Sequence, residues 1–220
     1  MRPAGGLNVA DTESDEATRP PPPEAAIQTE SRADAPEQPA KTLRFDTPQD
    51  LYAAMPQLAE LTQHRPREGE EMRAFLYRLR SSTTPEEAVT FTAFAAQPRV
   101  AIWWAHDCLR IMADGMDADD LAMMERIAQW ITTPTQALRH AMMRDALWAP
   151  RRSPVILLAL AAGWSGGPVA PNDPVPVAPY RAPRSINSAV LSGLAQASLT
   201  RRSILLARFI DMAESVLRVY

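Results

Sequence analysis

From Phe45 onward, apolar residues recur at spacings of three and four positions, the pattern of amphipathic α-helices. The last segment shows it most clearly, because five of its residues share one helix face: Leu205, Phe209, Met212, Val216 and Tyr220. The pattern predicts helices over residues 48–62, 70–81, 85–96, 98–113, 118–131, 134–148, 152–163, 184–197 and 199–218. We therefore predict an all-α fold, with a single domain of eight or nine helices packed as hairpins over residues 45–220.

Three of these helices are predicted to begin at a Thr-Pro pair: Thr47-Pro48, Thr84-Pro85 and Thr133-Pro134. A threonine side chain can accept hydrogen bonds from the free amides of a first helical turn, and proline fits that turn without losing a bond. The pairs are 37 and 49 residues apart, and these unequal spacings indicate helical hairpins without a strict repeat.

Residues 1–44 have a different composition, with four consecutive prolines at positions 20–23 and few large apolar residues. Such a segment buries too little apolar surface to offset the entropy lost on ordering its backbone. Its eight acids and five bases also make it acidic. We predict a disordered, acidic, Pro-rich tail over residues 1–44.

A second Pro-rich segment lies inside the folded part, where residues 165–183 contain six prolines. This segment is too long and too rich in proline for a simple turn. We predict an extended loop that crosses the surface of the body. Four apolar residues are expected to hold it there: Val169, Val175, Val177 and Tyr180.

Charge and cysteine usage exclude several functional classes. The net charge is −3, and residues 45–220 carry equal numbers of acids and bases, so the basic stripe of a nucleic-acid-binding protein is missing. The paired arginines at 151–152 and 201–202 are interpreted as solvated helix ends. The single cysteine, Cys108, permits no internal disulfide. Neither a signal-peptide core nor an apolar run of about 20 residues occurs, so we expect a cytoplasmic protein without a transmembrane segment.

One short motif suggests hydrolase chemistry, because residues 163–167 match the G-x-S-x-G pattern that presents a nucleophilic serine, here Ser165. That elbow requires a strand before it and a helix after it, whereas a Pro-rich loop follows here. His106 or His140 would have to accept the serine proton, and both precede the motif. The favoured interpretation is a helix C-terminus, with glycines in left-handed geometry and Trp164 packed on the body.

The segment Trp103-Trp104-Ala105-His106-Asp107-Cys108 suggests a Cys/His pair, but residues two apart on a helix point away from each other. One cysteine and three scattered histidines also lack the spacing of a zinc site, and no nucleotide-binding fingerprint occurs. We therefore predict no catalytic residue, metal or cofactor. One tryptophan of the pair is expected in the core, with the other flanking it at a groove or at the surface.

Two stretches carry a family resemblance. The first is Glu86-Glu87-Ala88-Val89-Thr90-Phe91 leading into Val100-Ala101-Ile102-Trp103-Trp104-Ala105, and the second is Trp164-Ser165-Gly166-Gly167 with the loop and helix that follow. They resemble an uncharacterised family of small, all-helical bacterial proteins, a domain of unknown function, over residues 43–220. Some members are associated with type VI secretion gene clusters. The resemblance implies an accessory role in secretion and no catalytic residues.

The function expected from the sequence is that of a non-enzymatic accessory or adaptor protein, acting through protein–protein contacts in a bacterial secretion system. Six candidate residues for partner binding are Trp103, Trp104, Trp164, Ser165, Gly166 and Gly167. Two alternatives remain open: a hydrolase using Ser165, and a peripheral membrane-surface binder using the apolar segment 154–164 or the last helix. The sequence also leaves self-association open.

Overall fold

The computed structural model describes residues 41–170 and 173–218, and within them the fold is all-α, as predicted. Ten α-helices follow one another in this part of the chain, with one 3₁₀ turn between the fifth and the sixth. They are α1 (Pro48–Ala54), α2 (Pro56–Leu61), α3 (Met72–Arg80), α4 (Glu87–Ala95), α5 (Pro98–Arg110), the 3₁₀ turn (Ala113–Gly115), α6 (Ala118–Thr132), α7 (Gln136–Trp148), α8 (Pro154–Trp164), α9 (Arg181–Gln196) and α10 (Leu199–Val216).

The count exceeds the prediction by one because the expected helix 48–62 is divided at Met55. Pro56 follows this residue, and a proline both lacks an amide hydrogen and disfavours helical geometry in the residue before it. Met55 accordingly leaves the helical region, with φ −131° and ψ 74°. In contrast, α9 begins at Arg181, earlier than predicted, because Pro183 fits its first turn.

The helix start predicted at Thr47-Pro48 has the expected capping chemistry, whereas the starts predicted at Thr84-Pro85 and Thr133-Pro134 are wrong. At Thr84-Pro85, α4 begins two residues later than predicted, at Glu87, and no side chain caps it. The side chain of Thr47 accepts a hydrogen bond from the amide of Asp50, as predicted. Asp117 caps α6 in the same way through the amide of Asp120. The start predicted at Thr133-Pro134 is wrong by two residues, because Thr135 is the residue that caps α7. Thr133 instead ends α6.

The centre of the fold is α8, which packs against α5, α6, α7 and α9. Most of its residues are buried, as its almost wholly apolar sequence requires. The segment 154–164 is therefore unavailable for the membrane-surface contact considered above. Across the described residues, no helix combines the length and the apolar character needed to cross a bilayer.

The beginning of the described chain belongs to this body. Leu43 is buried and forms an isolated antiparallel bridge with Ala96, and the amide of Gln97 donates a hydrogen bond to the carbonyl of Thr42. The body therefore begins before residue 45. Residues 1–40, which make up most of the predicted disordered tail, lie outside the described residues.

The Pro-rich segment between α8 and α9 contains no helix over residues 165–170 and 173–180. Tyr180 packs against the core as predicted. Val175 does not hold the loop to the body, since 65% of it is exposed. The amide of Val175 donates a hydrogen bond to the side chain of Asp173.

Glu87 fastens the segment between α2 and α3 to the start of α4. Its carboxylate accepts hydrogen bonds from the amides of Gln63 and His64, from Nδ1 of His64 and from the hydroxyl of Thr84. Burial raises the pKa of Glu87, but these hydrogen bonds outweigh burial, and the pKa lies below its ordinary value. The ionised carboxylate therefore stabilises the folded state.

We expect Glu87→Gln to lower the free energy of unfolding at neutral pH by about 1–3 kcal/mol, because one carboxylate oxygen and the charge are lost. A lowered folded-state pKa gives stability that is present above the pKa of the unfolded chain and disappears as pH falls through that of the folded protein. The difference between wild type and variant should therefore shrink in acid. Urea unfolding over a pH series measures it. The exposed neighbour provides the control, since Glu86→Gln should change stability by less than about 0.5 kcal/mol.

Candidate functional site

The turn that follows α8, residues 164–167, is built around the side chain of Arg139 from α7. Arg139 is only 1% exposed. Its guanidinium donates to the carbonyls of Gly163, Gly167 (3.5 Å) and Pro168 (2.8 Å). Gln136 adds a fourth contact between α7 and the turn by donating to the carbonyl of Gly166 at 3.0 Å.

The other two donors of Arg139 contact side chains of its own helix. Nε donates to Oε1 of Gln136 at 2.8 Å, and one terminal nitrogen donates to Nε2 of His140 at 2.7 Å. His140 must therefore carry its proton on Nδ1. All five N–H groups of the guanidinium are thus satisfied, which allows a cation to be buried without a carboxylate. Burial lowers the pKa of Arg139.

The glycines of this turn are required by close packing and by backbone geometry. A Cβ atom on Gly166 would lie 2.6 Å from Cδ of Arg139, and one on Gly163 would lie 2.7 Å from Cβ of Met143. Gly167 has a φ of 120°, which favours glycine, as the helix C-terminus interpretation predicted. The turn therefore packs closely against the buried side chain of Arg139.

The hydroxyl of Ser165 donates to the carbonyl of Ala161 at 2.7 Å. The two histidines proposed as its base have other partners. Nε2 of His106 donates to the carbonyl of Met124 at 3.2 Å, while His140 accepts from Arg139. Among the described residues, no hydrogen bond connects Ser165 to a histidine, so the nucleophile–base pair of a hydrolase is not assembled here.

A surface cleft of about 410 Å³ lies between Trp164 and the Pro-rich loop. It is lined by Trp164, Gly167, Pro168, Asp173, Pro174, Val175, Pro176 and Val177. The guanidinium of Arg181 lies over the Trp164 ring, 6.0 Å from its centroid. Two of the predicted partner-binding residues, Trp164 and Gly167, thus border an apolar cleft.

The two neighbouring tryptophans of α5 have opposite environments. Trp104 is 1% exposed, and its indole N–H donates to the carbonyl of Phe209 in α10 at 3.1 Å. Trp103 is 46% exposed. This division was predicted for the pair, but the choice of Trp104 as a partner-binding residue is wrong, because helical geometry turns its ring into the core.

The most exposed large apolar side chain described is Trp148, the last residue of α7, at 85%. Leu147, Leu121 near the start of α6 and Leu199 at the start of α10 are also exposed. We call these four side chains, together with the cavity described next, the Trp148 face. The sequence analysis did not single out Trp148. Ala149-Pro150 is the signal that could have identified it. A proline at this position ends the helix, so Trp148 is its last residue and follows the turns that pack on the body.

The Trp148 face contains a cavity of about 350 Å³ where the starts of α6, α8 and α10 meet the end of α9. Apolar side chains that line it include Leu109, Met112, Met116, Val155 and Leu205. Each exposed apolar residue of the face lies within four positions of a residue that lines this cavity. Charged and polar residues line the cavity as well, among them Asp120 and Arg151, and the cavity lies at the end of the body where α7 ends with the exposed Trp148.

Acids and bases are both concentrated around this cavity. Asp117, Asp119 and Asp120 lie at the start of α6, and Asp114 lies in the 3₁₀ turn before it. Arg151 and Arg152 directly precede α8, and Arg201 and Arg202 lie in the first turn of α10. Arg152 and Arg202 donate to the last carbonyls of α7 and α9, which supports the helix-end interpretation of these pairs. Arg151 forms ion pairs with Asp117 and Asp120.

Neither a reactive thiol nor a metal-binding group is found in the described part of the chain. Cys108 is buried, and burial raises the pKa of its thiol well above the ordinary value, so the thiolate nucleophile is suppressed. No group of three or more His, Cys, Asp or Glu residues has the arrangement of a metal site there.

A family model described as a family of unknown function (DUF6931) matches residues 75–217. The chain belongs to this family. The expected resemblance to a domain of unknown function is thereby confirmed. No curated protein and no solved structure matches the chain significantly.

The DUF6931 match begins within α3 and ends at the close of α10, so α1 and α2 lie outside it. It contains the turn around Arg139, both tryptophans of α5 and the whole Trp148 face. Every candidate site described above therefore lies within the family domain.

Proposed function

We propose that this DUF6931 protein is a non-enzymatic accessory or adaptor protein that binds another protein chain through the Trp148 face. The observation that carries the proposal is the 85% exposure of Trp148, three residues before Arg151, which lines a cavity of about 350 Å³. An apolar indole in water at a helix end contributes nothing to the core of its own chain, whereas tryptophan is enriched among the residues that dominate binding energy at interfaces.

The surroundings of Trp148 have the composition of an interface. Leu121, Leu147 and Leu199 are further exposed apolar residues, each within four positions of a residue that lines the cavity, and Arg151 and Arg201 line the cavity itself. Protein interfaces combine an apolar, aromatic centre with a polar rim in which arginine is frequent. Both elements are present at this end of the body.

The proposed setting is the bacterial cytoplasm, as part of a secretion system. The support for this setting is the resemblance of the Trp-Trp and Trp-Ser-Gly-Gly segments to a bacterial family with members associated with type VI secretion gene clusters. The Trp164 cleft offers a second contact surface, which an adaptor that joins two components would need.

Affinity capture from the native cell tests this function. The full chain should retain a defined set of proteins, and Trp148→Ser combined with Leu147→Ser should lose them, since removal of a buried interface tryptophan typically costs about 2 kcal/mol or more. The matched control is Tyr77→Ser, which removes an exposed aromatic side chain from α3.

If the Trp148 and Tyr77 variants captured the same proteins in equal amounts, the assignment of partner binding to the Trp148 face would be contradicted. Recovery of nothing by the wild-type chain would contradict the adaptor function itself. Circular dichroism spectra of the variants should match that of the wild type, because both substituted faces are solvent-exposed.

A further inference from the structure

We propose that the cavity where α6, α8, α9 and α10 meet is a binding site for a small zwitterion with an apolar body, the chemical class of apolar amino acids and dipeptides. The inference goes beyond the proposed function, because it concerns the interior of the cavity and does not depend on which protein binds Trp148. Three properties of the cavity carry it: its size, its buried apolar lining, and an acid and an arginine in the lining that do not pair with each other.

The cavity has the size of a small-molecule site. Its volume of about 350 Å³ lies at the lower end of the range of roughly 300–1,000 Å³ that such sites occupy. The lining comes from five α-helices, the 3₁₀ turn and the segments beside them, so groups from distant parts of the chain converge on one space. A volume at this lower end favours an amino acid or a dipeptide over a longer peptide.

The apolar part of the lining can receive an apolar side chain. Leu109 and Val155 are fully buried, and Leu205 is 5% exposed, so all three belong to the core. Met112 and Met116 are partly buried and pack against that core. Because thioether side chains adapt to groups of different shape, this lining can accommodate more than one kind of apolar group. An apolar group that contacts it leaves water, which favours binding.

Contacts within the protein hold part of the polar lining in place. Asp120 is 7% exposed and accepts hydrogen bonds from the hydroxyl of Ser153 at 2.6 Å and from Arg151 at 3.2 Å. Arg152 donates to the last carbonyls of α7. These contacts fix the starts of α6 and α8 relative to each other, so this wall of the cavity is formed before a ligand binds.

Two other charged groups of the lining have no such contacts. They are Asp114 of the 3₁₀ turn and Arg201 of α10, whose side chains form no hydrogen bond or ion pair with the residues that the structure describes. Asp120 also keeps some capacity, since a carboxylate can accept about four hydrogen bonds and two are formed here. The cavity therefore offers carboxylates to an ammonium group and a guanidinium to a carboxylate.

A zwitterion matches this lining better than a ligand with one charge or none. An anion would be attracted by Arg201 and repelled by Asp114, and a cation would meet the opposite pair of effects. A wholly apolar ligand would displace water from both groups without replacing its hydrogen bonds. A ligand with an ammonium group, a carboxylate and an apolar body gives each part of the lining a partner.

The test is isothermal titration calorimetry of the full chain with L-leucine and with leucylleucine. Each probe is compared with its N-acetyl form, which lacks the ammonium group, and with its C-terminal amide, which lacks the carboxylate. At least one unmodified probe should bind more tightly than about 1 mM, and its blocked forms should bind at least about tenfold more weakly. Absence of binding by both unmodified probes, or equal binding by the blocked forms, would overturn the proposal.

Variants of the two unpaired residues test whether the probe binds in this cavity. Asp114→Asn and Arg201→Gln should each raise the dissociation constant of the unmodified probe at least about fivefold. The matched controls are Asp119→Asn and Arg208→Gln, because these exposed residues of α6 and α10 do not line the cavity. The controls should bind like the wild type. Wild-type binding by either lining variant, or equal weakening by the controls, would overturn the site.

Failure of this inference differs from failure of the proposed function, because calorimetry uses the purified chain without a protein partner. If neither probe binds while protein capture still requires Trp148, the ligand site is overturned and the adaptor function remains. If a probe binds with the expected pattern while the chain captures no protein, the ligand site is supported and the adaptor function is contradicted.

Discussion

Replacing Trp104 with alanine is expected to lower the free energy of unfolding by about 3–5 kcal/mol. The indole is 1% exposed and lies within the core between α5 and α10. Its removal leaves a cavity that neighbouring helices cannot fully close, and it also removes the hydrogen bond to the carbonyl of Phe209. Urea unfolding followed by far-UV circular dichroism measures the loss.

The adjacent tryptophan provides a matched control. Trp103→Ala removes the same side chain from the next residue of α5, where nearly half of it is exposed, and should cost less than about 1 kcal/mol. A third variant, Trp104→Phe, retains most of the volume and should fall between the two. Equal losses for Trp103→Ala and Trp104→Ala would contradict the placement of Trp104 in the core.

Replacing Arg139 with methionine is expected to lower the free energy of unfolding by about 1–3 kcal/mol. Methionine restores much of the volume and removes a buried charge, which by itself can be neutral or favourable. The carbonyls of Gly163, Gly167 and Pro168 would then lose their donor. Gly163 is buried, and a buried carbonyl without a partner costs about 1–3 kcal/mol, whereas the carbonyls of the exposed Gly167 and Pro168 can bind water instead. The loss of donors should outweigh the gain from removing the charge.

The same helix contains the control for this prediction. Arg144→Met removes an exposed guanidinium from α7, where it pairs with Asp145, and should change stability by less than about 1 kcal/mol. Hydrogen exchange should also show faster opening of the amides around residues 163–168 in Arg139→Met than in Arg144→Met. If Arg139→Met were as stable as the wild type, the guanidinium would not support the turn.

Most of the fold could be predicted from the sequence because the helices are amphipathic or wholly apolar and their ends carry local signals. The capping threonine at 47 and the prolines at 98 and 154 mark boundaries that depend on residues nearby in the chain. Two helix boundaries were predicted wrongly because a proline is compatible with more than one position relative to a helix. Pro56 was assigned to the interior of a helix that it divides, and Pro183 was assigned to a loop although it fits a first turn.

The candidate site was less predictable, because exposure depends on how helices pack. Trp104 and Trp148 are the same residue type, yet Trp104 is the most buried tryptophan and Trp148 is the most exposed. Arg139 is another example, since an arginine within an amphipathic helix is normally solvated. Its burial follows from the turn at residues 163–168, which is distant in sequence and could not be paired with it from spacing alone.

We expect a protein chain to cover the Trp148 face in the cell. The most direct test places a photo-crosslinking amino acid at position 148 of the full-length protein in its native cell, with position 77 as the control. We predict a discrete crosslinked product, a second copy or another protein, at 148 and none at 77. Absence of a product at 148, or the same products at both positions, would contradict the account.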